Sequence, residues 1–344
     1  MKFHIKYYKD GVDKNQWNKV VEESPTAWLY HTADWIDVAV FYEQKYENRS
    51  ESLNASIPIY TKKGELLAGL PLFFYLNGPS LYGYAGPFYN KKLTENKKEK
   101  ITEMIYNIVD NLCVNNSLKF CKFRYTMLAD DYINKKVTHN PLLKYGYFYN
   151  LDDIFRLQAE NYLLRVVNLA KPLDVLYSEL GQKCRNSVNK AKKSGLTYKV
   201  SSSSEFIKIY SSIKAGPSHC EEYMIEAVKR LGDRIKIFIV YHEDIPIAVS
   251  RIDAYKNKLF YWSNGSKPEY LKYSPNNFLI WSVIEWGKEN GYEWLDIGNT
   301  YENKLQNMKV KFLNKILILQ LQRDIIFYGR RDERHQGRCI YYSS

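Results

Sequence analysis

No apolar run in this sequence is long enough to cross a membrane. The longest spans residues 66–76 and is interrupted by Gly69 and Pro71, whereas a spanning helix needs roughly 17–25 apolar residues. The start, Met1 to Lys6, is charged and lacks the apolar stretch of a secretory leader, so a cytoplasmic location is expected. Cysteine is sparse. The five residues (Cys113, Cys121, Cys184, Cys220 and Cys339) are odd in number and show no C-x-x-C spacing. That argues against a disulfide framework or a cysteine-built zinc site and fits reduced thiols. The six histidines are scattered without ligand spacing, and no metal site is expected. G-x-S-x-G, H-E-x-x-H, Walker and G-x-G-x-x-G motifs are all missing, which sets aside the hydrolases, zinc proteases, P-loop enzymes and dinucleotide-binding folds that carry them. There is no sustained heptad run, repeat or low-complexity tract.

What the chain does have is positive charge and tyrosine. Across 344 residues, 50 lysines and arginines face 38 acids, a net charge of +12. This favours anionic partners such as RNA, nucleotides, phosphorylated sugars or an anionic membrane face, without choosing among them. The 31 tyrosines suit a cleft holding polar ligands, because each ring is apolar with a polar tip. Compositional drift gives the same count.

The length suggests two domains, and the pattern mixes strands and helices in both halves. In the first half, Phe3–Tyr8 reads as a strand, and a helix follows over Gln16–Glu23. Thr32 then caps a second helix with Asp34 in its first turn. Ser56–Tyr60 and Glu65–Leu76 read as two strands around the turn Lys62-Lys63-Gly64. The segment Leu81–Pro87 is an irregular loop lined by aromatics, followed by a helix over Lys97–Val114. In the second half Ser178–Ser194 reads as one helix, with Cys184, Val188 and Ala191 as its apolar stripe and Gly195 as its stop. Further helices are expected over Phe206–Ile213 and Glu221–Leu231. Strands are expected over Ile235–Tyr241, Ile247–Ala254, Lys258–Ser263 and Trp294–Ile297. Ser274-Pro275 opens a helix with core positions Leu279, Val283 and Trp286.

Three features could carry chemistry. The helix N-terminus at Ser274, Pro275 and Asn276 follows a strand and offers free N–H groups to a phosphate or oxyanion. An ordinary strand–helix crossover with no ligand has the same pattern. The segment Lys183–Lys193 holds five cations and no acid, as either a phosphate-binding face or a solvated helix. Asp296 ends a buried strand, and Tyr301, Glu302, Lys304, Lys309 and Lys311 follow. Carboxylate or phenol there suits proton transfer, and lysine suits an anionic oxygen. A salt-bridged surface loop looks alike.

Taken in order, these segments resemble the FemAB-like branch of the GNAT acyltransferase superfamily. The resemblance runs through Tyr30-His31-Thr32-Ala33-Asp34-Trp35, then Tyr82-Gly83-Tyr84-Ala85-Gly86-Pro87. It continues through Arg185, Asn186, Lys190, Ala191, Lys193 and Gly195. Tyr261-Trp262, Gly265-Ser266, Ser274-Pro275-Asn276 and Leu295-Asp296-Ile297-Gly298 come next, and Met308-Lys309-Val310-Lys311-Phe312 is last. It implies an α/β fold of two tandem GNAT-like domains packed side by side, residues 1–160 and 161–344, without a coiled-coil arm. It also implies an N-acyltransferase with no tightly bound cofactor. The acyl or aminoacyl group would pass from a carrier, aminoacyl-tRNA or acyl-CoA, to an amine on a cell-envelope precursor (a peptidoglycan peptide or an amino sugar). That acceptor implies peripheral contact with the inner membrane face, and DNA is not an expected partner.

By the same resemblance Lys309, Asp296 and Tyr301 are candidate catalytic residues. Trp35, Tyr82 and Tyr84 would line the acceptor cleft, and Arg185, Lys190, Ser274 and Asn276 would hold the donor phosphates. The chain departs from the family pattern at Met308, Leu313 and Asn299. The segment Ser263–Asn277 lacks the glycine signature that cradles coenzyme A in ordinary GNAT enzymes, which favours a tRNA-borne or other carrier-borne donor. Three alternatives stay open: an acyl-CoA-dependent N-acetyltransferase in polysaccharide biosynthesis, a non-catalytic RNA-binding protein, and a scaffolding relative that has lost activity.

Overall fold

The computed structural model describes residues 3–5, 11–46, 54–75, 80–83, 86–116, 120–123, 148–149, 163–300 and 327–328. The first half begins with β1 (Phe3–Ile5), α1 (Lys14–Glu23) and α2 (Ala33–Tyr46). Asp13 caps α1 by accepting the Asn15 and Gln16 N–H groups, and the helix buries Trp17, Val20 and Val21 at helical spacing. Thr32 starts α2 as its sequence predicts, its hydroxyl accepting the Trp35 N–H at 3.2 Å.

β2 (Ile57–Thr61) and β3 (Leu66–Leu70) form a hairpin on the expected lysine–glycine turn. The single strand expected over Glu65–Leu76 is two strands. Pro71 cannot donate to a ladder, and the chain changes sheets there. β3 stays with β2, while β4 (Phe73–Tyr75) pairs with β5 (Ser80–Gly83). β6 (Phe88–Tyr89), α3 (Glu95–Asn115) and β7 (Phe120–Phe123) follow. The sheets run β1-β2-β3-β6 and β4-β5-β7, with β5 and β7 parallel. Ile101, Ile105 and Val109 of α3 pack with β2 and β3 in one apolar cluster.

After β8 (Phe148–Tyr149) comes β9 (Leu163–Asn168). The predicted helix over Ser178–Ser194 is two helices, α4 (Leu173–Glu179) and α5 (Gln182–Lys193). They are broken at Leu180-Gly181, whose backbones are extended. The Arg185 guanidinium closes that break by donating to the Ser178 carbonyl at 2.8 Å and to the Leu180 carbonyl. The stripe Cys184, Val188 and Ala191 is buried, as the spacing predicts. β10 (Leu196–Ser201), α6 (Ser204–Ile213), α7 (Glu221–Leu231), β11 (Ile235–His242), β12 (Ile245–Tyr255), β13 (Lys258–Ser266), α8 (Pro275–Glu289), β14 (Trp294–Thr300) and β15 (Phe327–Tyr328) complete the order. Ser274 departs from expectation: it sits in the left-handed region at φ 59° and makes no side-chain cap hydrogen bond to α8.

The large sheet runs β10-β11-β12-β13-β14-β9. Side chains from one face pack with α5 and α8. Those from the other face join α6 and α7 in a core that continues into the first half and includes Trp17, Trp28, Leu29 and Ile36. Polar ties cross the same junction: Arg234 to Asp34 at 3.1 Å, Arg230 to Asp37 at 3.2 Å, and Lys256 to the Ser24 carbonyl at 2.9 Å. The two halves therefore pack side by side on one shared core. Among the described residues no helix is long and apolar enough to cross a membrane.

His31 makes part of that core sensitive to pH. It is 1% exposed. Its Nδ1 accepts the Trp28 N–H at 2.9 Å, and Nε2 donates to the Gly86 carbonyl at 2.9 Å. Burial lowers its pKa from 6.5 to about 4. Between those values the unfolded chain binds a proton that the folded chain does not, so stability falls as pH drops through this window. The loss is about 3 kcal/mol by pH 4. Denaturant unfolding at pH 7 and pH 4.5 should show a larger acid loss for wild type than for His31→Gln, and equal losses would contradict this account.

Candidate active site

The large sheet is antiparallel except at one place. β13 and β14 run parallel, and they pair only across Lys258–Phe260 and Trp294–Asp296. β13 continues to Ser266 and β14 to Thr300, so beyond Phe260 and Asp296 the two strands part. Parallel neighbours that diverge leave a fork whose inner edges carry backbone N–H and C=O groups free of ladder bonds to each other. Such a fork can seat an extended ligand by strand-like hydrogen bonding. Asp296, fully buried, stands at its apex.

β13 is also bent at the fork. Its register with β12 slips between Arg251 and Ile252, so Trp262 is one residue too many. A bulge turns consecutive side chains to one face. Here both Trp262 and Ser263 face α6 and α7. The Arg251 guanidinium lies 4.0 Å from the Trp262 ring centre and the His219 ring lies 5.2 Å from it. The buried Tyr210 hydroxyl is 2.5 Å from the Ser263 hydroxyl and 2.9 Å from His219 Nδ1. Gly265 lets the strand pass close beneath the end of α6, because a Cβ there would lie 3.3 Å from the Ile213 carbonyl oxygen.

Beneath Trp262, Arg251 and Asp253 form a buried two-point ion pair with bonds of 2.7 and 3.2 Å. Burial alone would lower the Arg251 pKa, but Asp253, Tyr223 and Tyr210 together more than offset it and the net shift is upward. Tyr223 and Tyr42 extend the ring contacts from Trp262 to α2 of the first half, at 6.3 and 5.4 Å. Burial pushes the Tyr210 pKa up to about 12. Burial, then Lys214 and Arg251, lower that of His219 to about 4. Near neutral pH the first is therefore a phenol and the second a neutral imidazole.

The residues singled out by sequence fall in several places. Asp296 is at the fork. Asn276, in the first turn of α8, donates to the Ser266 hydroxyl at 3.0 Å and accepts from Asn264 at 3.4 Å, tying the helix to the free end of β13. Ser274 directly precedes it. Lys190 is exposed on α5 with Lys183, Lys192 and Lys193, and Lys192 pairs with Glu285 at 2.9 Å. Arg185 closes the α4–α5 turn. Trp35 is packed in the core, 4.6 Å from Tyr30 and 6.1 Å from Phe73 between ring centres. Tyr82 lies on β5. Tyr84, Tyr301 and Lys309 lie outside the described residues.

Sequence reasoning gave no role to Arg251, Asp253, Tyr210 or His219, and named Trp262 only as part of the resemblance. Arg251 and Asp253 had a readable signal: an Arg and an Asp two apart in a largely apolar strand share one face.

Comparison with known proteins agrees with the topology. Residues 183–303 match the family model described as "Acetyltransferase (GNAT) domain". This part of the chain is thus similar to GNAT domains. The whole chain is similar in fold to the crystal structure of FemX, at TM-score 0.65 and 12% identity, covering 95% of this chain and 97% of that one. It is similar to a tandem GNAT protein from the clavulanic acid biosynthesis pathway, at TM-score 0.51 and 8% identity, covering 95% and 97%. L-PGS from Bacillus licheniformis gives TM-score 0.50 and 14% identity, covering 86% and 78%. No curated protein sequence matches the chain. The fold is that of tandem GNAT proteins.

The ion pair under the β13 bulge predicts an asymmetric mutational response. Asp253→Asn leaves Arg251 charged in the core and should cost about 3–5 kcal/mol in denaturant unfolding. Replacing both residues with apolar ones of similar volume should recover most of that loss. A single-variant loss below about 1 kcal/mol would contradict a desolvated pair.

Proposed function

We propose that this protein transfers an aminoacyl or acyl group from a carrier to an amine on a cell-envelope precursor, a peptidoglycan peptide or an amino sugar. The observation that carries this reading is the fork between β13 and β14, with Asp296 at its apex and the start of α8 bound to its free edge. The fork seats the extended donor, and the acceptor amine approaches from the junction of the two halves. The neutral amine attacks the donor carbonyl directly. Holding both reactants in line supplies much of the acceleration.

In this scheme Asp296 or Tyr301 orients the amine, and Lys309 faces the donor phosphate or the developing oxyanion. Tyr82 and Tyr84 line the acceptor side, and the buried Trp35 shapes it from behind. Lys190, with its lysine neighbours on α5, meets donor phosphates, while Arg185 holds that helix in place. Ser274 and Asn276 set the start of α8 against the donor. The connection from β13 to α8 is a short 3₁₀ helix, Pro268–Tyr273, opened by a proline. A proline-opened 3₁₀ turn supplies no glycine cradle for a pyrophosphate. Together with the +12 charge, this favours aminoacyl-tRNA over acyl-CoA as donor. With a precursor-borne acceptor, the enzyme works in the cytoplasm at the inner membrane face.

Thermal unfolding with charged tRNA, coenzyme A and acetyl-CoA side by side tests the donor. Charged tRNA should stabilise the protein by about 2.7 kcal/mol at a hundredfold excess over Kd. A shift with the coenzyme A forms alone would replace this donor by acyl-CoA. Lys309→Ala should lower turnover at least tenfold with the melting temperature unchanged, and full activity would remove that residue from the scheme.

A further inference from the structure

We propose that His219 is the group that takes the proton from the acceptor amine, through an Nε2 kept bare by a hydrogen-bond chain running from its Nδ1 through Tyr210 to Ser263. This inference rests on the acyl-transfer reading above and assigns its proton acceptor. The chain has two observed links, His219 Nδ1 to Tyr210 at 2.9 Å and Tyr210 to Ser263 at 2.5 Å. Tyr210 is fully buried and stays protonated, so its single proton goes to one neighbour. If Nδ1–H donates to the Tyr210 oxygen, the phenol donates to Ser263, and His219 Nε2 is left as an acceptor.

Several features fix the ring in place. Gly216, at φ 120°, makes the turn that brings His219 back, and the His219 N–H donates to the Gly216 carbonyl at 2.9 Å. A Cβ at position 216 would stand 3.3 Å from the imidazole. Trp262 holds the ring from the side, itself backed by Arg251. The imidazole is half-buried, so one side meets solvent. Its position is apt as well. Ser263 lies just past Phe260, the last β13 residue paired with β14, so the chain ends on the fork. His219 also adjoins Cys220, whose sulfur is 2.8 Å from the Tyr46 hydroxyl of α2. The group therefore sits where the fork meets the first half.

The step balances. The amine nitrogen forms a C–N bond to the donor carbonyl and gives one proton to Nε2. The bond from the carbonyl carbon to the carrier oxygen (sulfur for a thioester) breaks. The leaving oxygen or sulfur then takes that proton from His219, and the imidazole is neutral again.

Two measurements test this together. Nitrogen-15 NMR of histidine-labelled wild-type protein at neutral pH, with the His219 signal assigned by its loss in His219→Gln, should show Nδ1 protonated and Nε2 bare. Transfer to a peptide amine, with charged tRNA or acetyl-CoA as donor, should show kcat at least 100-fold lower in both His219→Ala and His219→Asn. KM for the donor should stay within twofold. A protonated Nε2, or a His219→Ala kcat within threefold of wild type, overturns the proposal while acyl transfer stands. Wild-type protein that transfers nothing from either donor overturns the acyl-transfer reading and this proposal with it.

Discussion

Arg251 and Asp253 put two charges inside the core that the two halves share. Removing an ion pair from water costs several kcal/mol per ion, and only close, well-aligned partners offset it. The surroundings are arranged to do so. Asp253 meets the guanidinium at two points, Trp262 covers its face, and Met224 and Tyr223 close the sides. Trp262 can cover Arg251 because β13 bulges there, and the same bulge turns Ser263 toward Tyr210. Tyr223 in turn carries the packing on to Tyr42 of α2. One buried pair thus links the bulge, the polar chain beside the fork and the contact between the halves.

The fork has its own physical logic. A nine-residue strand that pairs with its parallel neighbour over three residues gives up ladder bonds that a continuous sheet would make. Beyond those residues the two edges can take other partners, water or a ligand among them. The neighbouring elements hold the free edge in place. Asn276 bridges to Asn264 and Ser266, and Ser250 donates to the Ser263 carbonyl at 2.8 Å. The site is therefore built on strands and a helix start that packing fixes before a substrate arrives, which suits catalysis by positioning.

Much of the fold was legible because it rests on periodicity. The stripe of α5, the hairpin of β2 and β3 and the Thr32 cap follow from spacing and local hydrogen bonding. The breaks were harder. Pro71 marked where a strand had to stop, but only the second sheet shows where the chain goes next. The α4–α5 break depends on Arg185 reaching back to two carbonyls, a contact the helical pattern hides. Of the candidate site, Asp296 and Asn276 were found from the resemblance and lie at the fork. His219 carries no local signal, because its partners are Tyr210, nine positions away, and Trp262 on a strand beyond two others. The Arg251–Asp253 pair was visible in one strand's alternation, yet its burial comes from α7 and Trp262, which that strand does not specify.

The central claim is that the fork is a site of acyl transfer to an amine. The most direct measurement is mass spectrometry of a lysine-containing cell-wall peptide after incubation with the protein and charged tRNA or acetyl-CoA. The account predicts a new amide on the peptide, its mass set by the donor's acyl group. Tight binding of RNA with no amide formed from any donor would contradict it and leave a binding protein built on an acyltransferase fold.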